Sequence, residues 1–412
     1  MARHILFFFY TPAIYLFGGI LYLVSFWNKK IHLMVKGQQK TICWLKSFKP
    51  EDKTTKVVWM HCASLGEFEQ GRMVLEHLKK QHPTWKIYLS FFSPSGYEMR
   101  KNWETADKVF YLPTDTPAHA RLLTYTLQPD LFILVKYDFW WNIIRILDQK
   151  KIPVILTAAH FEENKYYLRQ PFLSMVKKWK FIFAIHKQSV NIAAGKGIQN
   201  IEAVGDPRID RVLSIKSQQS PLPERLVKML QSKSKTIIYG SVWIEDIKKI
   251  KTVISDNPGY FHVLVPHDIR PEYVRQIKNE LMAEPAVFSK NEDSSTCLIF
   301  DQIGYLSTLY QYADLVYIGG GFGKGIHNTL EPAVYGVPVM MGPKYHKFAE
   351  AIENIEAGNA FCIHDANEMN VIIKTYEDQP NFRIKIKKGL EDYFNNHQGA
   401  SQKIVRYIQT QL

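Results

Sequence analysis

Short apolar segments rich in β-branched residues alternate with helical segments along most of this 412-residue chain. One series begins at residues 57–60 and ends at 201–204, and a second begins at 236–239 and ends at 339–341. Alternation of this kind predicts parallel sheets covered by helices, because neighbouring parallel strands need a crossover connection that is usually a helix. The sequence therefore predicts two doubly wound, Rossmann-like α/β domains.

An apolar stretch precedes the first series. Residues 5–27, ILFFFYTPAIYLFGGILYLVSFW, carry no charge and are long enough to cross a bilayer core as a helix. Lysines follow it at positions 29, 30, 36 and 40, whereas one arginine precedes it. By the positive-inside rule, this asymmetry predicts an N-terminal anchor with the bulk of the protein on the cytoplasmic side. A cleavable signal peptide fits less well because no small-x-small site follows the apolar region, and shallow insertion without spanning remains an alternative.

A polar segment, SIKSQQSPLP at 214–223, separates the two series and is typical of a linker. The predicted organisation is a membrane anchor and basic juxtamembrane segment over 1–45, a first domain over 46–213, the linker 214–223, a second domain over 224–395 and a C-terminal helix over 396–412. Two such domains with a cleft between them form the GT-B arrangement, in which ligands bind at the carboxyl ends of strands.

The charge balance narrows the class of partner. The formal net charge is +13, which predicts an anionic partner such as a membrane surface or a phosphorylated substrate. Nucleic acid is not predicted, because zinc-finger spacing and aromatic RNA-binding motifs are missing. The cysteines at 43, 62, 297 and 362 lack CxxC spacing, which favours a reduced compartment. No HxxxH, HExxH or strand-end Asp-x-Asp pattern occurs, so neither a metal nor a cofactor is predicted.

A glycine-rich stretch follows the predicted strand 314–318, with Gly319, Gly320, Gly321, Gly323 and Gly325 within seven positions. A helix is predicted over 328–335 and another strand over 339–341. Glycines between a strand and a helix let backbone N–H groups approach an anion, and a carboxylate one turn into the helix, at position 331, can accept hydrogen bonds from ribose hydroxyls. The pattern predicts a nucleotide site; a tight connection in an α/β sheet is the alternative.

Two further blocks lie at predicted strand ends. Ser64-Leu65-Gly66-Glu67 follows the first strand, and Gly240-Ser241 follows the strand at 236–239. A carboxylate in the first turn of a helix can serve the helix dipole, which is the alternative to a catalytic role for Glu67.

Taken together, these motifs resemble the Kdo (3-deoxy-D-manno-octulosonic acid) transferases of lipopolysaccharide synthesis. The resemblance covers nearly the whole chain. It rests on the apolar N-terminus, the Ser64–Glu67 block, the Trp140/Asn142 segment, residues 205–210, Gly240-Ser241, residues 266–272 and 301–306, and the His327-Asn328-x-Leu330-Glu331-Pro332 motif.

The resemblance implies a GT-B enzyme that transfers Kdo, with inversion and without metal, from CMP-Kdo to a lipid A precursor at the cytoplasmic face of the inner membrane. It implies that Glu67 is the general base, which takes the proton of the attacking sugar hydroxyl and typically contributes ~10²–10⁴-fold in rate. The nucleotide-binding candidates are Arg208, Ser241, Arg270, Gly320, Gly321, Gly323, His327, Asn328 and Glu331. The acceptor-side candidates are Ser64, Gly66, Lys136 and Asp138.

Each of these candidates also has a structural interpretation. The arginines can form surface ion pairs, Ser241 can cap a helix, and Asn328 and Glu331 can cap the helix that follows them. The chain also departs from the family pattern, with Lys136 where many members have glutamate, and with His160 and His267 where members have arginine. The remaining alternatives are a GT-B transferase or epimerase using another nucleotide sugar, and a non-catalytic anchored scaffold.

Overall fold

The computed structural model describes residues 2–50, 54–136, 138–218, 220–281, 284–294 and 296–412, with side chains from Phe9 onward. The chain forms two compact units, Met1–Arg211 with His397–Leu412, and Val212–Asn396. In its described residues, each unit contains one seven-stranded sheet whose strands all pair in parallel. The predicted fold class, two doubly wound α/β domains of the GT-B type, is confirmed at this level.

The elements are numbered in chain order. The strands are β1 (Val57–Cys62), β2 (Lys86–Phe91), β3 (Lys108–Tyr111), β4 (Leu131–Val135), β5 (Val154–Ala159), β6 (Phe181–Ala184), β7 (Ile201–Ala203), β8 (Thr236–Val242), β9 (Phe261–Pro266), β10 (Ala286–Val287), β11 (Cys297–Ile299), β12 (Leu315–Ile318), β13 (Val339–Met341) and β14 (Ala360–Cys362). The α-helices are α1 (Ala2–Val24), α2 (Lys29–Ser47), α3 (Leu65–Gln81), α4 (Pro94–Arg100), α5 (Pro117–Leu127), α6 (Trp141–Gln149), α7 (Phe172–Val176), α8 (Lys187–Gly195), α9 (Pro207–Gln218), α10 (Glu224–Gln231), α11 (Ile244–Ile250), α12 (Thr252–Asp256), α13 (Pro271–Glu280), α14 (Leu306–Leu309), α15 (Leu330–Ala333), α16 (Ala349–Glu356), α17 (Ala366–Asp378), α18 (Pro380–His397) and α19 (Ala400–Gln411).

The first sheet has the order β3-β2-β1-β4-β5-β6-β7, and the second has the order β10-β11-β9-β8-β12-β13-β14. In each sheet, the chain first adds strands on one side of the central strand and then on the other side; in the second sheet β10 forms the edge and β11 lies between β10 and β9. The reversal falls between β1 and β4 in the first unit and between β8 and β12 in the second. Crossover connections leave the space beside the reversal open at the carboxyl ends of the strands, where ligands bind in such sheets.

The first sheet is buried on both faces, as expected for parallel strands under helices. Val57 and Trp59 pack into one apolar cluster with residues of α2, α5 and α6. Val58 and Met60 pack into the opposite cluster with residues of α3 and α19. The period-2 alternation of strand side chains thus builds two core layers from one continuous apolar run.

The N-terminal helix α1 packs against the first unit. The Tyr10 hydroxyl donates to the Asp115 carboxylate at 2.8 Å, and Leu21 packs with Met34 and Tyr111. Other positions along α1 and just beyond it expose large apolar side chains: Phe9, Tyr15, Leu16, Phe17, Ile20, Tyr22, Leu23, Phe26 and Trp27.

Within the part of the chain that the structure describes, none of the helices combines the length and the apolar character needed to cross a bilayer. The spanning anchor predicted over residues 5–27 therefore has no support there, and the side chains of residues 5–8 lie outside the described residues.

The boundary between the two units does not lie in the predicted linker. Helix α9 continues to Gln218, through the first half of the segment 214–223, and the compact units divide after Arg211 within that helix. The C-terminal helix α19 belongs to the first unit, where Asp210 accepts hydrogen bonds from the Gly399 and Ser401 N–H groups at 2.6 and 2.7 Å. The short strands β10 and β14 were not predicted.

Candidate active site

Glu67 lies beside the strand-order reversal of the first unit, on the turn that follows β1. Helix α3 begins at Leu65 with Ser64 as its N-cap, so Glu67 falls in the first helical turn. Its side chain is buried, and its carboxylate accepts a hydrogen bond from the Ala63 N–H. Burial and the negative charge of Asp138 raise the pKa of Glu67 to about 7, against the lowering effects of the Ala63 N–H and Lys136. A carboxylate with a pKa near neutrality is matched to general-base work at physiological pH.

Lys136 and Asp138 approach Glu67 from the end of β4, the strand next to β1. Their charges act on the Glu67 carboxyl with opposite sign, which places both within electrostatic range of it. Lys136 has a φ of 69°, in the left-handed region, which costs a residue with a side chain about 1–3 kcal/mol. The predicted base and two predicted acceptor-side residues are thus brought together by the fold.

Ser64 and Gly66 border this carboxylate. The Ser64 hydroxyl makes no capping hydrogen bond to α3. A Cβ built on Gly66 would have the Ser64 Oγ at 4.0 Å as its nearest neighbour, so packing in the described chain does not require glycine here. The space above Gly66 is therefore open to a ligand, as the sequence predicts for an acceptor sugar.

His61 is a member of this site that the sequence analysis did not single out. It is completely buried within β1, its Nδ1 lies 2.9 Å from the Ser90 Oγ, and its Nε2 lies 3.5 Å from the Asp138 Oδ2. Neither the Nε2 nor that carboxylate oxygen has a hydrogen-bond partner among the described residues. The available signal was a titratable side chain inside an otherwise apolar strand.

The neighbours of His61 select its tautomer. Ser90 Oγ accepts a hydrogen bond from the Trp59 Nε1 at 2.9 Å, and its own hydrogen faces either His61 Nδ1 at 2.9 Å or the Met60 carbonyl at 3.5 Å. If Ser90 donates to the nearer Nδ1, the Nε2 carries the ring proton and faces the Asp138 carboxylate at 3.5 Å. The other tautomer would set two acceptors against each other. His61 thus faces Asp138 at 3.5 Å, and Asp138 raises the pKa of Glu67.

Arg208 is also in the first unit, unlike the other predicted nucleotide-binding residues. Its guanidinium binds the Asp206 carboxylate through Nε at 2.9 Å and Nη2 at 2.6 Å. Burial tends to raise the pKa of Asp206, but the Arg208 charge and hydrogen bonds hold that pKa below its usual range. Arg208 thus takes part in a buried structural ion pair at the start of α9.

The glycine-rich stretch of the second unit follows β12, beside the reversal of that sheet. The Gly320 N–H donates to the Asp246 Oδ2 at 2.7 Å, while the Gly323 and Gly325 N–H groups donate to the Gly320 carbonyl at 3.0 Å. These N–H groups are satisfied within the protein, so the expectation that Gly320 and Gly323 offer free donors to a phosphate is not met. Asp246 organises the turn and was missed, because it lies far away in sequence, at the start of α11.

Close packing explains two of these glycines. A Cβ on Gly321 would lie 2.5 Å from the Gly342 nitrogen, and one on Gly319 would collide with the Ser241 carbonyl. The obstructing atoms are backbone atoms, which cannot move aside as a flexible side chain can. The alternative interpretation of this stretch, a tight connection in an α/β sheet, therefore accounts for Gly319 and Gly321.

Ser241 lies within the adjacent strand β8, at a register irregularity between Gly240 and Val242, and has a φ of 54°, a left-handed conformation unusual for serine. Its half-buried hydroxyl has no hydrogen-bond partner in the described part of the chain. A strained residue with an unused donor at the strand-order reversal fits the predicted contact with an anion.

Three aromatic rings stack near this point. The His267 ring lies 4.2 Å from Trp243 and 4.6 Å from His327, measured between centroids. The His327 Nε2 accepts a hydrogen bond from the Trp243 Nε1 at 3.0 Å, and burial with the nearby His267 lowers the pKa of His327 to about 4. His327 is therefore a neutral acceptor at pH 7, with Trp243 as a partner that the sequence did not reveal.

Asn328 and Glu331 form one unit. The Glu331 Oε1 accepts from the Asn328 Nδ2 at 3.0 Å and its Oε2 from the Ser307 hydroxyl, while the Asn328 Oδ1 accepts from the Leu330 N–H at 3.1 Å. Helix α15 spans only Leu330–Ala333, so the helix predicted over 328–335 was too long. The N-cap of α15 is Thr329, but Asn328 accepts from the first helical N–H and also holds the Glu331 carboxylate in a fixed orientation.

Arg270 lies on the protein surface, unlike the residues described above. Its side chain is 68% exposed and forms ion pairs with Asp268 and, at 3.6 Å, with Glu272. Arg270 therefore forms a surface ion pair, which was the structural alternative to its predicted role in nucleotide binding. In the described residues, no group of three or more histidine, cysteine, aspartate or glutamate side chains is arranged to hold a metal ion.

The fold has close counterparts among solved structures. A UDP-GlcNAc 2-epimerase from Neisseria meningitidis superposes with a TM-score of 0.61 at 17% identity, covering 86% of this chain and all of that one. A putative UDP-N-acetylglucosamine 2-epimerase from Listeria monocytogenes gives a TM-score of 0.62 at 13% identity, covering 86% of this chain and 96% of that one. At these identities the likeness concerns the fold alone, which is the two-domain α/β class of GT-B type.

Sequence comparison is more specific. Residues 38–211 match the family described as 3-deoxy-D-manno-octulosonic-acid transferase (kdotransferase). Curated transferases of that name are similar along most of their length: that of Aquifex aeolicus is 27% identical over 79% of this chain and 88% of its own, and that of Chlamydophila psittaci is 26% identical over 83% and 82%. The resemblance predicted from the motifs is confirmed: this chain is similar to the Kdo transferases.

Proposed function

We propose that this protein is an inverting, metal-independent glycosyltransferase that moves Kdo from CMP-Kdo to a lipid A precursor. The observation that carries the proposal is Glu67, a buried carboxylate with a pKa near 7 at the strand-order reversal of the first unit. Similarity to proteins named 3-deoxy-D-manno-octulosonic acid transferase supports the identity of the transferred sugar.

In the proposed reaction, a hydroxyl of the acceptor sugar forms a bond to the anomeric carbon of Kdo. Its proton passes to the Glu67 carboxylate, and the bond from the anomeric carbon to the CMP phosphate breaks with its electron pair leaving on phosphate. The Ala63 N–H holds Glu67 in place, and the Asp138 charge keeps its proton affinity high enough to accept the proton. A base so placed is expected to contribute ~10²–10⁴-fold in rate.

Donor binding is assigned to the second unit. The Glu331 carboxylate, held by Asn328 and Ser307, is suited to accept hydrogen bonds from the two hydroxyls of a ribose. The Ser241 hydroxyl, which has no hydrogen-bond partner in the described residues, is suited to donate to the phosphate. In this chain these contacts take over the role first expected of the Gly320 and Gly323 N–H groups.

We further propose that the enzyme works at the cytoplasmic face of the inner membrane. The row of exposed apolar side chains along α1, from Phe9 to Trp27, supports contact with a lipid surface. The basic residues of α2 and the net charge of +13 favour an anionic leaflet and an acceptor that carries phosphate.

A transfer assay tests the proposal. The full chain is mixed with CMP-Kdo formed in situ and a tetra-acylated lipid A precursor in the presence of EDTA, and the product is read by mass spectrometry. A mass gain of one or more Kdo units is expected, and its absence with active controls would refute the proposal. Failure to bind CMP as well would favour a non-catalytic scaffold.

Variants then assign the roles. Glu67→Gln is expected to abolish transfer while CMP still binds, with Glu69→Gln as the matched control, because Glu69 lies on the same helix but pairs with Arg100 at 2.9 Å. Glu331→Ala is expected to weaken CMP binding measured by calorimetry, with the exposed Glu356→Ala as its control. Substantial transfer by Glu67→Gln, or unchanged CMP affinity in Glu331→Ala, would overturn the respective role.

A further inference from the structure

A cavity of about 570 Å³ lies in the first unit, away from Glu67. Its lining includes residues of α6 and α7 and the segments that lead into β5 and β6. Residues 151–153 lead into β5, and Trp179 and Lys180 immediately precede β6. Because the strands are parallel, their amino ends share one edge of the sheet, whereas Glu67 follows the carboxyl end of β1. The cavity is therefore at the opposite edge from the candidate active site.

The inner walls of this cavity are apolar and aromatic. Ile144 and Trp179 are almost completely buried at 3% exposure each, and the half-buried Trp141 adds a second indole ring. A concave surface of this volume with aromatic walls is typical of sites for small ligands with an apolar body.

The rim carries an excess of positive charge. Arg145, Lys151, Lys178 and Lys180 line the cavity with exposed side chains, and Asp148 is the one acidic residue among the described residues of the lining. Asp148 is already paired with Lys178 at 2.7 Å. Within the described chain, Lys151 and Lys180 have no carboxylate at ion-pair distance, so their charges are available to an anion.

Trp179 supplies an independent observation. Its Nε1 is buried and has no hydrogen-bond acceptor in the described part of the protein. A buried donor without a partner costs about 1–3 kcal/mol, and an indole N–H usually finds an acceptor when buried. An oxygen atom of a bound molecule would satisfy it.

We propose that this cavity binds a single-chain anionic amphiphile. The alkyl chain lies against Trp141, Ile144 and Trp179, and the anionic head group lies between Lys151 and Lys180 with an oxygen accepting from the Trp179 Nε1. Apolar walls with cations at the rim match a molecule with one chain and one anionic end, and they disfavour a cationic amphiphile of the same length. The proposed site is separate from the proposed transfer reaction and does not depend on it.

The test compares octyl phosphate with octyltrimethylammonium, probes of equal chain length and opposite charge, binding to the full chain in non-ionic detergent. Binding is measured by calorimetry and by tryptophan fluorescence. Octyl phosphate is expected to bind at least tenfold more tightly. Equal affinity for the two head groups would overturn the proposal, because the exposed apolar row of α1 would take up either chain.

Variants locate the site. The double variant Lys151→Glu/Lys180→Glu is expected to weaken octyl phosphate binding at least tenfold. Lys187→Glu/Lys196→Glu is the matched control, because it changes the net charge equally at exposed lysines of the same unit outside the cavity. Trp179→Phe is expected to weaken binding severalfold without loss of the folded state. If both double variants weaken octyl phosphate binding equally, the binding depends only on the net charge of the protein, and the proposed site is refuted.

Discussion

Glu67→Gln is expected to stabilise the folded protein at alkaline pH while abolishing transfer. The pKa of Glu67 in the folded state is about 7, above its ordinary value of 4.5, mainly because burial and Asp138 disfavour the charged form. For a group with a raised pKa, the stabilising contribution is fully present below the unfolded pKa and is lost as the pH rises through the folded pKa. Wild-type stability is therefore expected to fall between about pH 4.5 and pH 7 through this group.

The size of the effect follows from the same values. Raising the pKa from 4.5 to about 7 corresponds to ~3 kcal/mol, at ~1.4 kcal/mol per tenfold change in proton affinity. Reorientation of Asp138 and partial hydration reduce this, so a gain on the order of 2 kcal/mol is expected for the neutral glutamine at pH 8. The gain should be smaller at pH 5.5, because only part of the loss between about pH 4.5 and pH 7 has occurred at that pH.

Thermal or denaturant unfolding of both proteins at pH 5.5 and pH 8 tests this reasoning. Glu69→Gln serves as the control on the same helix, because its ion pair with Arg100 at 2.9 Å makes a neutral or slightly destabilising effect the expectation. If Glu67→Gln does not increase the stability at pH 8, or increases it equally at both pH values, the raised pKa of Glu67 is refuted.

Three further predictions concern the same residues and the glycine-rich turn. Since activity requires the Glu67 carboxylate, kcat/KM is expected to increase with pH around pH 7. Asp138→Asn should shift this increase, the acidic limb of the pH profile, to lower pH. An unshifted profile would show that Asp138 does not raise the pKa of Glu67. His61→Phe should move the limb in the same direction and lower kcat severalfold, and the double variant should add little to Asp138→Asn; additive effects would show that His61 does not act through Asp138. Gly321→Ala should destabilise the second unit by about 1–3 kcal/mol or more, because its Cβ meets the Gly342 backbone; Gly259→Ala, with open space around the added atom, should be nearly neutral, and equal stabilities would disprove the packing argument.

Much of the fold could be predicted from local sequence pattern. Strands β4, β6 and β13 were predicted with the boundaries they have in the structure, because each is a compact apolar run bounded by turn residues. Helix α15 was predicted too long, because the helical pattern does not show that the regular hydrogen bonds end between Pro332 and Gly336. The return of α19 to the first unit left no local signal, because it depends on contacts of Asp210 with distant residues.

The sequence by itself determined that two parallel sheets form and that Glu67 and the glycine-rich turn follow strand ends, whereas Ser241, predicted to follow a strand, lies inside β8. These features depend on periodicity and on short motifs, which neighbouring residues define. Tertiary structure alone decided which of the predicted groups are available to a ligand. It placed Asp246 beneath the Gly320 N–H and set His61 against Asp138 across two adjacent strands. Hydrogen-bond satisfaction, ion pairing and pKa depend on distances between groups far apart in sequence, and only the folded chain fixes those distances.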